Sequence, residues 1–145
     1  MDFRNIRICA EKESRLERNE NDGDMEINLS DIWTKLEKEV GKAAQQGAEL
    51  EMETEQKLCY ANPFMLEVWK KLLALKKRLI IVSDMYLPEE CLSELVQNAG
   101  FSGFEKLYVS NKFHVSKASD GKLFEIVKRD FGDSHMIHIG DNPHS

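Results

Sequence analysis

The run Leu79-Ile80-Ile81-Val82, closed at once by Ser83-Asp84, limits the possible folds of this chain more than any other feature. Four apolar residues in a row, three of them β-branched, show none of the alternation of a strand with one wet face. They predict a strand covered on both faces, the situation of a parallel sheet. Parallel neighbours cannot be joined by a tight turn and need a crossover of a dozen residues or more. The sequence supplies such crossovers. Pro88, with Glu89 and Glu90 behind it, opens a helix whose Leu92, Leu95, Val96 and Ala99 share a face, and Gly100 is placed to end it. Lys106 to Val109 is a second strand, Asp120 caps a helix through Leu123, Phe124 and Val127, and Met136 to Ile139 is a third strand. Helix and strand alternate, so an α/β core with a parallel sheet is expected over residues 61–145.

Residues 1–60 have a different character. Phe3, Ile6 and Ala10 recur at helical spacing in a helix to about Arg18, and Asn19 to Asp24, with Gly23, breaks it. Ser30 is a plausible N-cap for one long helix carrying Ile32, Leu36, Val40, Ala43, Gly47 and Leu50. Asn62-Pro63 then reads as N-cap and first-turn proline of a helix with Phe64, Val68, Leu72 and Leu75 on one stripe, ending in Lys76, Lys77 and Arg78. The helical region also holds the excess charge: 15 acidic and 9 basic side chains lie in residues 1–60, against 11 of each in 61–145. Nucleic acid is a poor partner for such a chain, because a phosphate backbone needs a clustered positive footprint. Cys9, Cys59 and Cys91 are odd in number and widely spaced, which argues against a disulfide framework or a zinc cluster and for a reducing cytoplasm. No apolar run reaches the roughly 18 residues of a membrane span.

Each expected strand ends in small polar or charged residues: Ser83-Asp84, Ser110-Asn111 and Gly140-Asp141-Asn142. In an open parallel sheet the carboxyl ends of the strands share one edge, where such folds bind ligands. Any one pair alone is weak evidence, since serine, aspartate and asparagine favour turns by bonding to nearby backbone. His135 and His138, three apart on an expected strand, point to opposite faces and read as structural. Trp33 and Trp69 fall on apolar helix faces and read as core.

The segments Ile81-Val82-Ser83-Asp84-Met85-Tyr86-Leu87-Pro88 and His138-Ile139-Gly140-Asp141-Asn142, with a lysine between them, together resemble the haloacid dehalogenase (HAD) superfamily of phosphohydrolases. More closely, they are similar to the HAD-type domains of bacterial surface-polysaccharide proteins, which often adjoin glycosyltransferase domains. The resemblance implies a Rossmann-like parallel sheet, with residues 1–60 corresponding to the family's helical cap. It implies a small phosphorylated substrate, such as a sugar phosphate. Ser83 would match the hydroxyl that donates to a phosphoryl oxygen, and Lys117 the cation that neutralises phosphate, a charge-assisted bond worth about 1.5–3 kcal/mol. Lys122 is the rival for that lysine. Asp141 would match the carboxylate that holds Mg²⁺, with Gly140 letting the backbone turn. Asp84 and Asn142 lie beside the site and would position ligands, or serve as caps and turns.

One departure matters for activity. Family phosphatases begin with an apolar strand ending in Asp-x-Asp-x-Thr, whose first aspartate attacks phosphorus, and no Asp-x-Asp-x-Thr occurs in these 145 residues. Because the opening residues already resemble the helix that follows this motif, the 145 residues are expected to be part of a longer chain, inactive alone. The alternatives are a non-catalytic interaction or regulatory module attached to a glycosyltransferase, and an unrelated Rossmann-type domain. Against the latter, no Gly-x-Gly-x-x-Gly follows a strand. Without the central strand that the resemblance implies, adjacent strand edges would face a gap of nearly 10 Å. The expectation is that the gap closes in one of three ways. Leu79–Val82 pairs with Met136–Ile139, an N-terminal segment such as Asn5–Cys9 becomes a strand, or strand edges pair between copies.

Overall fold

The computed structural model describes residues 2–22, 25–118 and 120–140. Among them the chain is mixed α/β and mostly helical, with seven α-helices and one two-stranded parallel sheet. Helix α1 (Phe3–Asp22) turns Ala10 and Ser14 inward against α2 (Leu29–Val40), whose Ile32 and Leu36 are fully buried. With Ile27 these make the core of the helical region, each large aliphatic side chain contributing roughly 1.5–3 kcal/mol. Helix α3 (Ala44–Leu58) also packs on α2.

The single long helix expected from Ser30 to Leu50 is two helices. Gly41, at φ 63°, caps α2, and a short 3-10 turn at Gly41–Ala43 reorients the chain into α3. The apolar spacing continues across the break although the two helices bury different neighbours, Ile32 and Leu36 against Ala10, and Ala48 and Met52 against Leu87 and Cys91, so periodicity alone could not show it. The N-cap lies at Asn28, two residues before Ser30. The reason is Asp31, whose Oδ2 accepts the Asn28 amide proton at 2.8 Å and fixes the first turn there. Helix α4 (Pro63–Ala74) begins as its sequence dictates: Asn62 Oδ1 accepts from the amides of Phe64 (3.0 Å) and Met65 (3.4 Å).

Strands β1 (Ile80–Ser83) and β2 (Lys106–Val109) run parallel, with Ile80 opposite Lys106 and Ser83 opposite Val109. Helix α5 (Glu89–Asn98) covers one face, where Leu92 and Val96 meet Ile81, Leu107 and Val109. Helix α7 (Lys122–Phe131) covers the other, where Leu123 and Val127 meet Ile80, Val82 and Tyr108. Alternate residues of β1 are thus apolar on both faces because a helix lies on each. The turn α6 (Ser110–Phe113) follows β2 directly. Gly121, in the left-handed region at φ 72°, is the N-cap of α7 where Asp120 was expected, and Asp120 itself is left-handed at φ 54°.

Two strand expectations fail. Asn5–Cys9 lies within α1. Met136–Ile139 is described but is not a strand, and Ile137 and Ile139 are 87% and 55% exposed. Its composition suits a strand, yet a strand persists only where neighbouring backbone supplies hydrogen bonds, and none of the described residues does so. The ring of His138 rests edge-on against Phe124 instead, centroids 4.9 Å apart. The outer edge of β1 therefore has no strand beside it among the described residues, and all four of its residues are only half-buried.

Gly47 of α3 has its Cα against the Trp33 ring of α2, so a Cβ there would overlap the indole. In an ordinary helix glycine to alanine stabilises by about 1 kcal/mol, whereas overpacking costs about 1–3 kcal/mol. The second effect wins here. Gly47→Ala is expected to lower the unfolding free energy by about 1–2 kcal/mol in a urea titration, and a more stable variant would contradict the packing described.

Candidate functional site

The parallel register brings the carboxyl ends of β1 and β2 level, so Ser83-Asp84 and Ser110-Asn111 lie side by side. Their roles differ. Ser110 and Asn111 are buried, and both are spent on the loop after β1: Ser110 Oγ accepts the Met85 amide proton at 3.0 Å, and Asn111 Nδ2 donates to the Leu87 carbonyl at 3.0 Å. They shape the loop and do not face a ligand. Ser83 is half-buried and Asp84 exposed.

Asp84 Oδ1 accepts the backbone amide proton of Lys117 at 2.9 Å across a sequence separation of 33 residues. This bond draws the Ser116–Ala118 segment to the end of β1. Lys117 is half-buried, and its charge reaches His138, whose imidazole is pushed below its ordinary pKa by burial first and by Lys117 second. Lys122 is exposed in the first turn of α7. Of the sequence candidates, Ser83, Asp84 and Lys117 thus come together at one sheet edge, while Asp141 and Asn142 lie outside the described residues. His138 joins this edge through Lys117, a neighbour that strand periodicity gave no reason to expect.

Among the described residues no three His, Cys, Asp or Glu side chains gather as a metal site requires. The Asp84 Oδ1 at this edge already takes the Lys117 amide. These residues do not by themselves fit a Mg²⁺ centre, which needs an octahedral oxygen shell. The sole Asp-x-Asp spacing in the sequence, Asp22 and Asp24, is followed by Met25-Glu26 and lacks the family motif's threonine, and Asp22 is the last residue of α1, not of a strand.

A heavily bonded carboxylate lies nearby and has no sequence motif to announce it. Glu51 of α3 receives four hydrogen bonds: Arg7 Nε to Oε2 at 3.1 Å, Arg7 Nη2 to Oε1 at 2.6 Å, Trp33 Nε1 to Oε2 at 2.8 Å, and Tyr86 Oη to Oε1 at 3.2 Å. A carboxylate has about four acceptor positions, so Glu51 is saturated. Tyr86 belongs to the loop that follows Ser83 and Asp84, and its carbonyl also accepts the Leu29 amide proton at 2.9 Å. Leu29, Leu87 and Cys91 seal the same junction with apolar contact. Arg18 Nη2, 2.9 Å from His114 Nδ1, and Gln56 Nε2, donating to Glu94 Oε2 at 3.1 Å, make further polar ties between the helical region and the sheet region.

Burial alone would raise the Glu51 carboxyl, but the bonds and charge of Arg7, with the Trp33 and Tyr86 bonds, outweigh it and hold the group below its ordinary value. Burial and the Glu51 charge push the Tyr86 phenol up to about 12. Comparison with models of known protein families, and with curated proteins, gives no match for this chain.

A carboxyl depressed in the folded state stabilises fully above its unfolded pKa and loses that contribution as pH falls through the folded value. The unfolded value is about 4.3. Glu51→Gln is expected to cost about 1–3 kcal/mol at pH 7, with the gap from the unsubstituted protein narrowing as pH drops below about 4. Urea titrations at stepped pH check this, and a gap that stays constant to pH 3 would show that the Glu51 charge plays no part.

Proposed function

We propose that the carboxyl edge of the β1–β2 sheet binds a phosphoryl group, and that the chain belongs to a HAD-type phosphohydrolase or phosphotransferase-like domain acting on a small phosphorylated substrate such as a sugar phosphate. The observation that carries this reading is the Asp84–Lys117 bond, which puts a cation-bearing loop at the strand end where Ser83 lies. A half-buried hydroxyl and an ammonium at one sheet edge suit a tetrahedral dianion: Ser83 donates to one oxygen, and Lys117 offsets the charge as a charge-assisted partner. Asp84 acts on the lysine loop and not on the anion, since a carboxylate against a phosphate repels it.

No nucleophile is assigned to these residues. In this reading a further apolar strand pairs with the outer edge of β1 and ends in the attacking carboxylate, which would then stand beside Ser83. Mg²⁺ would need Asp141 together with oxygen ligands beyond the described residues, so the chain alone should bind the ion weakly. The three free cysteines suit a reducing compartment such as the cytoplasm, and no helix among the described residues is long and apolar enough to cross a membrane.

Titrating inorganic phosphate into ¹⁵N-labelled protein tests the reading. The amides of Ser83, Asp84 and Lys117 are expected to shift together, and Ser83→Ala or Lys117→Ala to weaken binding by about tenfold or more, the effect of losing one charge-assisted bond. Shifts scattered over surface lysines, or none at this edge, would contradict it and favour a non-catalytic module. With Mg²⁺ present, the 145 residues are expected to give no phosphomonoester turnover above a Ser83→Ala control. A calorimetric Mg²⁺ titration should show millimolar affinity or weaker, because most of the shell is left to water, and micromolar binding would contradict the assignment of ligands.

A further inference from the structure

A chain of contacts sets His138 beside the lysine loop. Asp84 Oδ1 takes the Lys117 amide proton, the Lys117 carbonyl takes that of Gly121 at 3.0 Å, and the Ser116 carbonyl takes that of Leu123 at 3.2 Å, so the loop is folded onto the start of α7. Phe124, the next residue of α7, carries the His138 ring edge-on with centroids 4.9 Å apart. The ring's Nε2 comes 2.9 Å from where a Cβ on Gly140 would stand, so a side chain at that position would push the ring away. The imidazole is thus placed by Phe124 and Gly140 within reach of the Lys117 charge.

An imidazole beside an ammonium is badly placed to carry a charge of its own. Burial and then Lys117 push His138 below its ordinary pKa, so it is neutral at pH 7. The other charged or titratable side chains of the elements packed on it are Asp84, bonded to the Lys117 amide, Asp120 and Lys128, four residues to either side of Phe124, and His135 on its own segment. Asp120 and Lys128 are exposed and opposite in sign. A dianion arriving beside Lys117 reverses the balance, because a nearby negative charge favours the protonated imidazole. The imidazolium can then donate from either ring nitrogen, adding a second cation to the hydroxyl of Ser83 and the ammonium of Lys117.

We propose that His138 is a further anion-binding group of the phosphoryl edge, neutral while the edge is empty and protonated when a tetrahedral dianion lies beside it and Lys117. This rests on the phosphoryl reading of that edge and adds a proton to it. Sulfate is the probe, since it stays a dianion where inorganic phosphate would itself titrate. In the full chain, NMR of the ring protons is expected to show the His138 midpoint rise by about one pH unit or more at saturating sulfate. Sulfate affinity should strengthen about threefold or more from pH 8 to pH 6. His138→Gln, which can still donate a hydrogen bond, should match the unsubstituted protein at pH 8 and lose the gain at pH 6, whereas His135→Gln should keep it. Equal weakening by His138→Gln at both pH values would make the ring a packing element only and overturn the inference. A His138 midpoint that sulfate leaves in place, while the Ser83, Asp84 and Lys117 amides shift, would overturn it and leave the phosphoryl edge standing. Sulfate shifts absent from those amides would overturn both.

Discussion

One carboxylate, Glu51, draws three elements to the junction of the helical region and the sheet region, which the Leu29–Tyr86 backbone bond, the Gln56–Glu94 and Arg18–His114 contacts and the apolar seal of Leu29, Leu87 and Cys91 also hold. Glu51 accepts from Arg7 on α1, from Trp33 on α2 and from Tyr86 on the loop after β1, so removing it leaves three donors from three elements without their acceptor. A half-buried charge of this kind stabilises only when its bonds are complete, and here they are. Gly47 belongs to the same arrangement, since its missing Cβ is what lets the Trp33 indole lie flat enough on α3 to reach Glu51. The loop carrying Ser83 and Asp84 is consequently held from two sides. Tyr86 is tied into the helical region, while Ser110 and Asn111 grip Met85 and Leu87 from the end of β2.

The sheet is the less complete part. Two parallel strands covered by a helix on each face make a sound local core around Leu107, Val109, Tyr108 and Leu123. Yet β1, whose sequence suits a strand with neighbours on both sides, is only half-buried. The apolar residues of 136–139 remain largely in solvent instead of paired. Among the described residues the outer edge of β1 has no paired strand, and strand edges of this kind are prone to pair.

The strands β1 and β2, and helices α4 and α5, were legible in the sequence because each is specified locally: an unalternating apolar run, an Asn-Pro cap, a proline start. The break at Gly41 was not, because a single glycine in an amphipathic pattern reads equally well as a tolerated interior residue. Met136–Ile139 has the composition of a strand, and what decided against it was the absence of a partner, which no local window reveals. At the site, the level ends that set Ser83-Asp84 beside Ser110-Asn111 followed from parallel strands sharing an edge, Lys117 was named by the resemblance alone, and the Glu51 cluster joins residues 35 and 44 positions apart. Its members come from four separate segments with no shared motif, and only the packed elements show that they meet.

If the Glu51 cluster is what couples the helical region to the loop that presents Ser83 and Asp84, its loss must be felt at that loop and not across the sheet. Hydrogen exchange of Glu51→Gln against the unsubstituted protein at neutral pH measures this directly. The account predicts faster exchange in the Asp84–Leu87 amides and in the first turns of α1, with β2 and α7 unchanged. Unchanged exchange at Asp84–Leu87, or a uniform rise through β2 and α7, would contradict it.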